Sequence, residues 1–435
     1  MCQITRNYTG NGNFIVGSKE YSANFSLVQY SNSNIIIEWE VSDLINIEPG
    51  AKVAMEGIVT DPEGKIDAPY SHVNKVSLGS GTKIISMKSF RPVEITYLEQ
   101  EYEKLHVRIG LTNFVFRDCE QISSEENGFS AEIDDFNVFL IQLDDYTEKV
   151  KLLENKIEKK LITSELVLSF NYDDMIKVQS LIWNICYLLS YACRNVISPV
   201  YEDYFTDEYH LKTILRPVLT RDFHNRDPLI DSDHFHNCTL KDFLETVYSN
   251  YVEYKNKFGL NIVFSFYLEA VTFPYMDMGF LLNSTALETL LSGYEVLREE
   301  EGNPINKGII KKNKKEIFKI LKENDIELEE VAEEIANKIS YPNLNIQEKL
   351  SAFIKDDRFE LELKQYDRDF SFIRNKITHT GKFPITIKSD GRDREINRLE
   401  EHNRLIYLSD RIILKILGYT GPFLNRGNDY SEEYL

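Results

Sequence analysis

The sequence predicts an α+β protein, with a β-rich N-terminal domain followed by an α-helical C-terminal bundle. Two observations carry this. Residues 1 to about 170 alternate short β-branched or aromatic runs with turn chemistry, whereas from Asp173 onward apolar residues recur at helical spacing. The length, 435 residues, accommodates two or three domains that each bury a core.

The N-terminal runs are "NSNIIIEWEV", "KVAMEGIV", "VEITYLE", "LHVRIGLTNFVF", "FNVFLIQL" and "ITSELVLSF", and they are separated by "EPGA", "DPEGK", "GSGT" and "EENG". Strands at this spacing, without long helical patterns between them, point to a β-sandwich or a barrel-like sheet. The earlier "GNGN" lacks the strand–helix context and third glycine of a dinucleotide loop and reads as a turn.

Helices begin at "DDMIKVQSLIWNICYLLSYACR", where aspartates precede the first turn. "TLKDFLETVYSNYVEYKNKF" starts at a Thr N-cap, and "STALETLLSGYEVLREEE" offers Thr285 and Glu288 as a capping box. Lys307 to Lys322 holds seven lysines and one Glu, and Glu323 to Glu334 holds seven acids and no base. Further helices are expected at "NIQEKLSAFIKD", at "FIRNKITH" and from about Arg394 to Gly418, with a loose tail "NRGNDYSEEYL". The expected division is therefore 1–170 β-rich, 171–260 an α-rich connecting region, and 261–435 the helical domain.

Composition narrows the function. A net charge of −20 opposes any general electrostatic grip on nucleic acid or an anionic membrane, so a polyanion needs a local basic patch. Five cysteines (2, 119, 186, 193 and 238) without framework spacing point to reduced thiols. The polar N-terminus lacks a signal-peptide core, and no apolar run is long enough to span a bilayer. A cytoplasmic protein without membrane contact is expected.

The densest set of reactive side chains is "FIRNKITHTG". On a helical wheel Phe370, Ile373 and Ile377 share one face, while Asn375 and His379, an i,i+4 pair, lie on the opposite side. Arg374 sits at the edge of the apolar face, and Gly381 ends the helix. Cleaving RNA by internal transesterification needs a base for the 2′-hydroxyl, an acid for the leaving 5′-oxygen and a cation at the phosphorane. A histidine serves either proton-transfer role, a guanidinium suits the phosphoryl oxygens, and an amide orients the imidazole or holds the phosphate. One helix supplies a single His, and a symmetric dimer would supply the second.

Three other features compete. Lys311, Lys312, Lys314 and Lys315 are candidate phosphate contacts, or else a solvated face paired with the acidic stretch that follows. His234, His236 and Cys238, with Asp231 and Asp233, are legitimate zinc ligands, yet no second ligand pair stands at a recognisable spacing, so no metal is assigned. Arg194-Asn195 repeats the start of the motif, but no His follows nearby.

"RNKITH" resembles the Arg-Asn-x-x-x-His motif of HEPN ribonucleases, small α-helical bundles that pair so that two motifs face each other. "LLNSTALETLLSGYEVL" resembles the family's helix before the motif, and the helix from about Arg394 the one after it. The whole layout resembles the ApeA-type anti-phage (abortive infection) proteins. The resemblance implies a metal-independent endoribonuclease without cofactors, cutting tRNA or another structured RNA during phage infection. It implies catalytic roles for Arg374, Asn375 and His379, a homodimer through the C-terminal domain, and a sensing or regulatory N-terminal domain answering a phage-derived trigger. Glu288 is either a polar neighbour of that site or a helix cap. The alternative is a non-catalytic module of the same shape that binds nucleotide, RNA or a partner protein.

Overall fold

In the computed structural model the described residues are 4–42, 47–78, 82–116, 120–121, 127–217, 222–225, 227–230, 239–302, 315–317, 319–320, 344–364, 366–389, 391–425 and 431–434. They form a mixed α+β protein, β-rich in its N-terminal part and helical in its C-terminal part. The chain divides into two compact units, Met1–Tyr248 and Ser249–Leu435.

In the first unit, β1 (Ile4–Val16), β2 (Lys19–Tyr30), β3 (Ile35–Ser42), β6 (Thr82–Ser89), β5 (Glu63–Leu78) and β4 (Lys52–Thr60) pair in that order. Because β4 pairs with both β5 and β1, the six strands close into an antiparallel barrel. Alternation fills it: Phe14, Phe25, Leu27, Ile37, Trp39, Met55, Ile85 and Met87 point inward, and the Phe14 and Trp39 rings stack at 4.1 Å.

"GNGN" is not a turn. It lies within β1, where a Cβ on Gly10 would stand 2.0 Å from the Ile58 carbonyl oxygen and one on Gly12 3.0 Å from that of Glu56. The glycines let β1 and β4 approach where the barrel closes, a strand use of glycine that local turn statistics miss. The turn itself falls at Gly17, in the left-handed region.

The long β5 also carries the sheet onward. Its first half pairs with β7 (Val93–Thr96), opening a row that continues through β14 (His210–Leu215), β13 (Ser198–Phe205), β8 (Lys104–Thr112), β12 (Ile162–Asn171), β11 (Phe136–Gln142), β10 (Asn127–Ile133) and β9 (Glu120–Gln121). Strands β13 and β14 lie in the stretch expected as an α-rich connection, so residues 171–260 are not a separate helical region. Helix α1 (Tyr146–Glu154) packs on β12, and α2 (Met175–Cys193) packs on β12 and β13. Cys186 and Cys193 on α2 are free, buried thiols, and burial pushes Cys193 up to about 12. Arg194 ends α2 in the left-handed region, and Asn195 binds both backbone groups of His224, at 2.8 and 2.9 Å. That Arg-Asn pair is structural. The boundary between the units falls within α3 (Leu240–Tyr254), capped by the Thr239 hydroxyl, which accepts the Asp242 N–H at 3.0 Å.

The second unit contains α4 (Leu260–Thr272), α5 (Met276–Glu300), α6 (Ile346–Phe353), α7 (Phe370–Thr380) and α8 (Arg398–Ile416). Helix α5 packs against the other four. It starts nine residues before Thr285, whose hydroxyl bonds back to the Leu281 carbonyl, so Thr285 and Glu288 form no capping box. A capping box does open α6, from Asn345 and Glu348. Arg394 is not helical: it belongs to a hairpin of β15 (Thr386–Ser389) and β16 (Arg392–Glu395), and Asn397 caps α8. The described part of the tail is paired: β17 (Phe423–Asn425) pairs with β18 (Ser431–Glu433), and Glu433 accepts hydrogen bonds from Tyr407 and Asn425, while residues 426–430 and 435 lie outside the described residues. No helix among the described residues is long and apolar enough to cross a membrane.

The barrel closure makes a graded prediction. Gly10→Ala, with its Cβ inside the van der Waals shell of a backbone oxygen, should destabilise the protein by about 1–3 kcal/mol. Gly12→Ala should cost less. Urea unfolding monitored by far-ultraviolet dichroism measures both, and equal losses would contradict the geometry.

Candidate functional site

The site grows from α7. Phe370, Ile373 and Ile377 are buried, and hydrophobic burial of this size is worth roughly 1.5–3 kcal/mol per side chain. The start of the helix is tied down as well. The Asp369 carboxylate meets Arg394 Nη2 at 2.8 Å and accepts the Ser389 hydroxyl at 3.0 Å, while Arg394 donates to both carboxylate oxygens of Glu401 on α8, at 2.7 and 3.0 Å. The Arg394 guanidinium also lies 4.2 Å from the centre of the Tyr366 ring. Gly381, in the left-handed conformation, closes the other end by donating to the Ile377 carbonyl at 2.7 Å. Both ends and one face are held, so the remaining face has a fixed direction.

Asn375 and His379 are exposed on that remaining face, and Arg374 stands at its edge, half-buried. Arg374 Nη1 donates to Asn375 Oδ1 at 3.1 Å, and Nη2 donates to Glu288 Oε2 at 3.0 Å across from α5. Glu288 is therefore a neighbour of the motif and not a cap. A guanidinium carries five N–H donors, so these contacts orient it and leave donors for an anion. The Asn375 amide oxygen is engaged with Arg374 and not with the imidazole. Among the described residues no hydrogen bond or ion pair engages the His379 ring.

Lys315 is exposed; Lys311, Lys312 and Lys314 lie outside the described residues, as do Asp231, Asp233, His234, His236 and Cys238. No group of three His, Cys, Asp or Glu side chains among the described residues is arranged to hold a metal ion. A groove of about 820 Å³ runs over the outside of the barrel in the first unit. Register places Asn13, Glu56, Asp67 and Glu94 opposite one another on β1, β4, β5 and β7 along its floor. Burial and the neighbouring Glu56 and Glu94 raise the Asp67 carboxyl above its ordinary value. An acidic row of this kind repels phosphate, so the groove is no place for a polyanion. The α7 face, with no acid between Phe370 and Lys382, is suited to one.

The chain matches no protein-family model, no curated protein and no solved structure.

The Glu288–Arg374 pair is about one-third exposed on each side. A double-mutant cycle of Glu288→Gln and Arg374→Gln, read by thermal unfolding, should return a coupling of about 0.2–1 kcal/mol that shrinks with added salt. A coupling unmoved by salt would contradict the exposed geometry.

Proposed function

We propose that the protein is an endoribonuclease of the HEPN type that cleaves RNA by attack of the 2′-hydroxyl on the adjacent phosphate. One observation carries the reading: a guanidinium held by Glu288 and Asn375, and an exposed imidazole about one turn beyond Asn375, on a helix whose other side is locked in the bundle. Arg374 binds the phosphoryl oxygens, His379 transfers the proton, and Asn375 orients the guanidinium. The products carry a 2′,3′-cyclic phosphate and a 5′-hydroxyl. The resemblance stated above supports tRNA or another structured RNA as substrate, anti-phage defence as the setting, and the β-rich first unit as the part that senses a trigger.

One helix offers one imidazole, and transesterification is fastest with a base and an acid on opposite sides of the phosphate. A two-fold pairing of the second unit along the Asn375/His379 face brings two His379 side chains to one composite site. The free His379 ring also supports a second reading, a module that binds RNA or a protein without cutting, since a catalytic base is ordinarily oriented by a partner group.

Purified protein incubated with total tRNA separates the two. Wild type should cut, in the presence of EDTA as well, while His379→Ala should lose at least a hundred-fold in rate with its thermal midpoint intact, within the range of lost acid–base catalysis. Arg374→Lys should rescue poorly, because a point charge does not reproduce a bidentate fork. Excess His379→Ala re-annealed with wild type should depress activity below simple dilution if the site is shared. Binding without cleavage by wild type would establish the second reading.

A further inference from the structure

Phe372 stands apart from the other aromatic residue of its helix. Phe370 is buried at 4% exposure, whereas Phe372 is 49% exposed. Single exposed hydrophobic residues are common and ordinarily need no explanation. The position of this one does. At 100° per residue Phe372 lies within about 20° of His379 around α7, with Asn375 and Lys376 in the turn between them. The four residues make one exposed stripe, with the backbone positions of Phe372 and His379 about 10.5 Å apart along the axis.

We propose that Phe372 is a stacking platform for a nucleobase flanking the scissile phosphate, and hence that the substrate is RNA unpaired at the cut. The proposal rests on the ribonuclease reading and adds to it the state of the RNA. An aromatic face stacks on any base whose own face is uncovered, and stacking of this kind needs no sequence. In a duplex those faces are buried and the grooves of A-form RNA do not present them. The flanking charge fits the same occupant. From Phe370 to Lys382 the chain carries Arg374, Lys376 and Lys382 and no acid, within a protein of net charge −20. Lys376 and Lys382 are exposed and make no ion pair among the described residues. A ring bordered by cations suits a strand whose bases stack and whose phosphates are negative.

The test reads stacking without cleavage. In a His379→Ala background, Phe372→Trp places an indole at the platform; Trp39 and Trp183 supply a baseline measured in the same background without that change. An unpaired mixed-sequence oligoribonucleotide should quench the new fluorescence, and the same strand annealed to its complement should not. In the active protein Phe372→Ala and Phe372→Leu should raise KM by about five- to hundred-fold, while Phe372→Trp should restore it. A strand that binds by anisotropy without quenching would overturn the platform, and so would equal quenching by the duplex or no binding of either. Dissociation of an RNA-free dimer by Phe372→Ala would assign the ring to a second copy instead. Quenching by the unpaired strand with no cleavage by wild type would sink the ribonuclease reading and leave the platform standing.

Discussion

Everything proposed for the second unit depends on the rotation of α7 about its own axis. Phe370, Ile373 and Ile377 set that rotation by packing into the bundle, and the Asp369–Arg394–Glu401 ion pairs set where the helix begins. A turn of 100° would bury Asn375 or His379 and expose an isoleucine. The apolar stripe and the polar stripe are thus two consequences of one arrangement, and the polar face requires no special mechanism to be held outward.

Charge then sets that face apart from the rest of the chain. The chain is acidic as a whole, and its barrel groove presents directly opposed carboxylates, a costly arrangement across strands. The α7 face is the reverse, cationic with one carboxylate, Glu288, reaching it from α5. At one-third exposure that carboxylate adds little stability. Its effect is directional: it holds a long, flexible guanidinium in one place before any anion arrives. Preorganisation of this sort lowers the ordering cost when a phosphate binds.

Helix α7 and its buried face are legible in the sequence because that information is local. The 3.6-residue period placed Phe370, Ile373 and Ile377 inward, and Gly381 marked the end. Non-local features were not. Gly10 and Gly12 look like turn residues until β4 is known to run beside them, and β13 and β14 become strands of the sheet only through pairing with β8 and β7. Thr285 and Glu288 imitate a capping box within a helix that begins at Met276, so the sequence leaves Glu288 open between a cap and a neighbour of the motif, and only the contact with Arg374, 86 residues away, decides it. The same period sets Phe372 beside His379 and away from Phe370, in keeping with its exposure.

The central claim is a reaction, and its products record it. Transesterification by side chains leaves a 2′,3′-cyclic phosphate on the upstream fragment and a 5′-hydroxyl on the downstream one, whereas direct hydrolysis with an activated water leaves other termini. RNA from cells expressing the wild-type protein or His379→Ala can be sequenced after ligation with enzymes that accept only cyclic-phosphate ends. The account predicts cyclic-phosphate ends at defined, unpaired positions in the wild type and their loss in His379→Ala. Fragments ending in 3′-hydroxyl and 5′-phosphate groups, or the same cyclic ends in both samples, would contradict it.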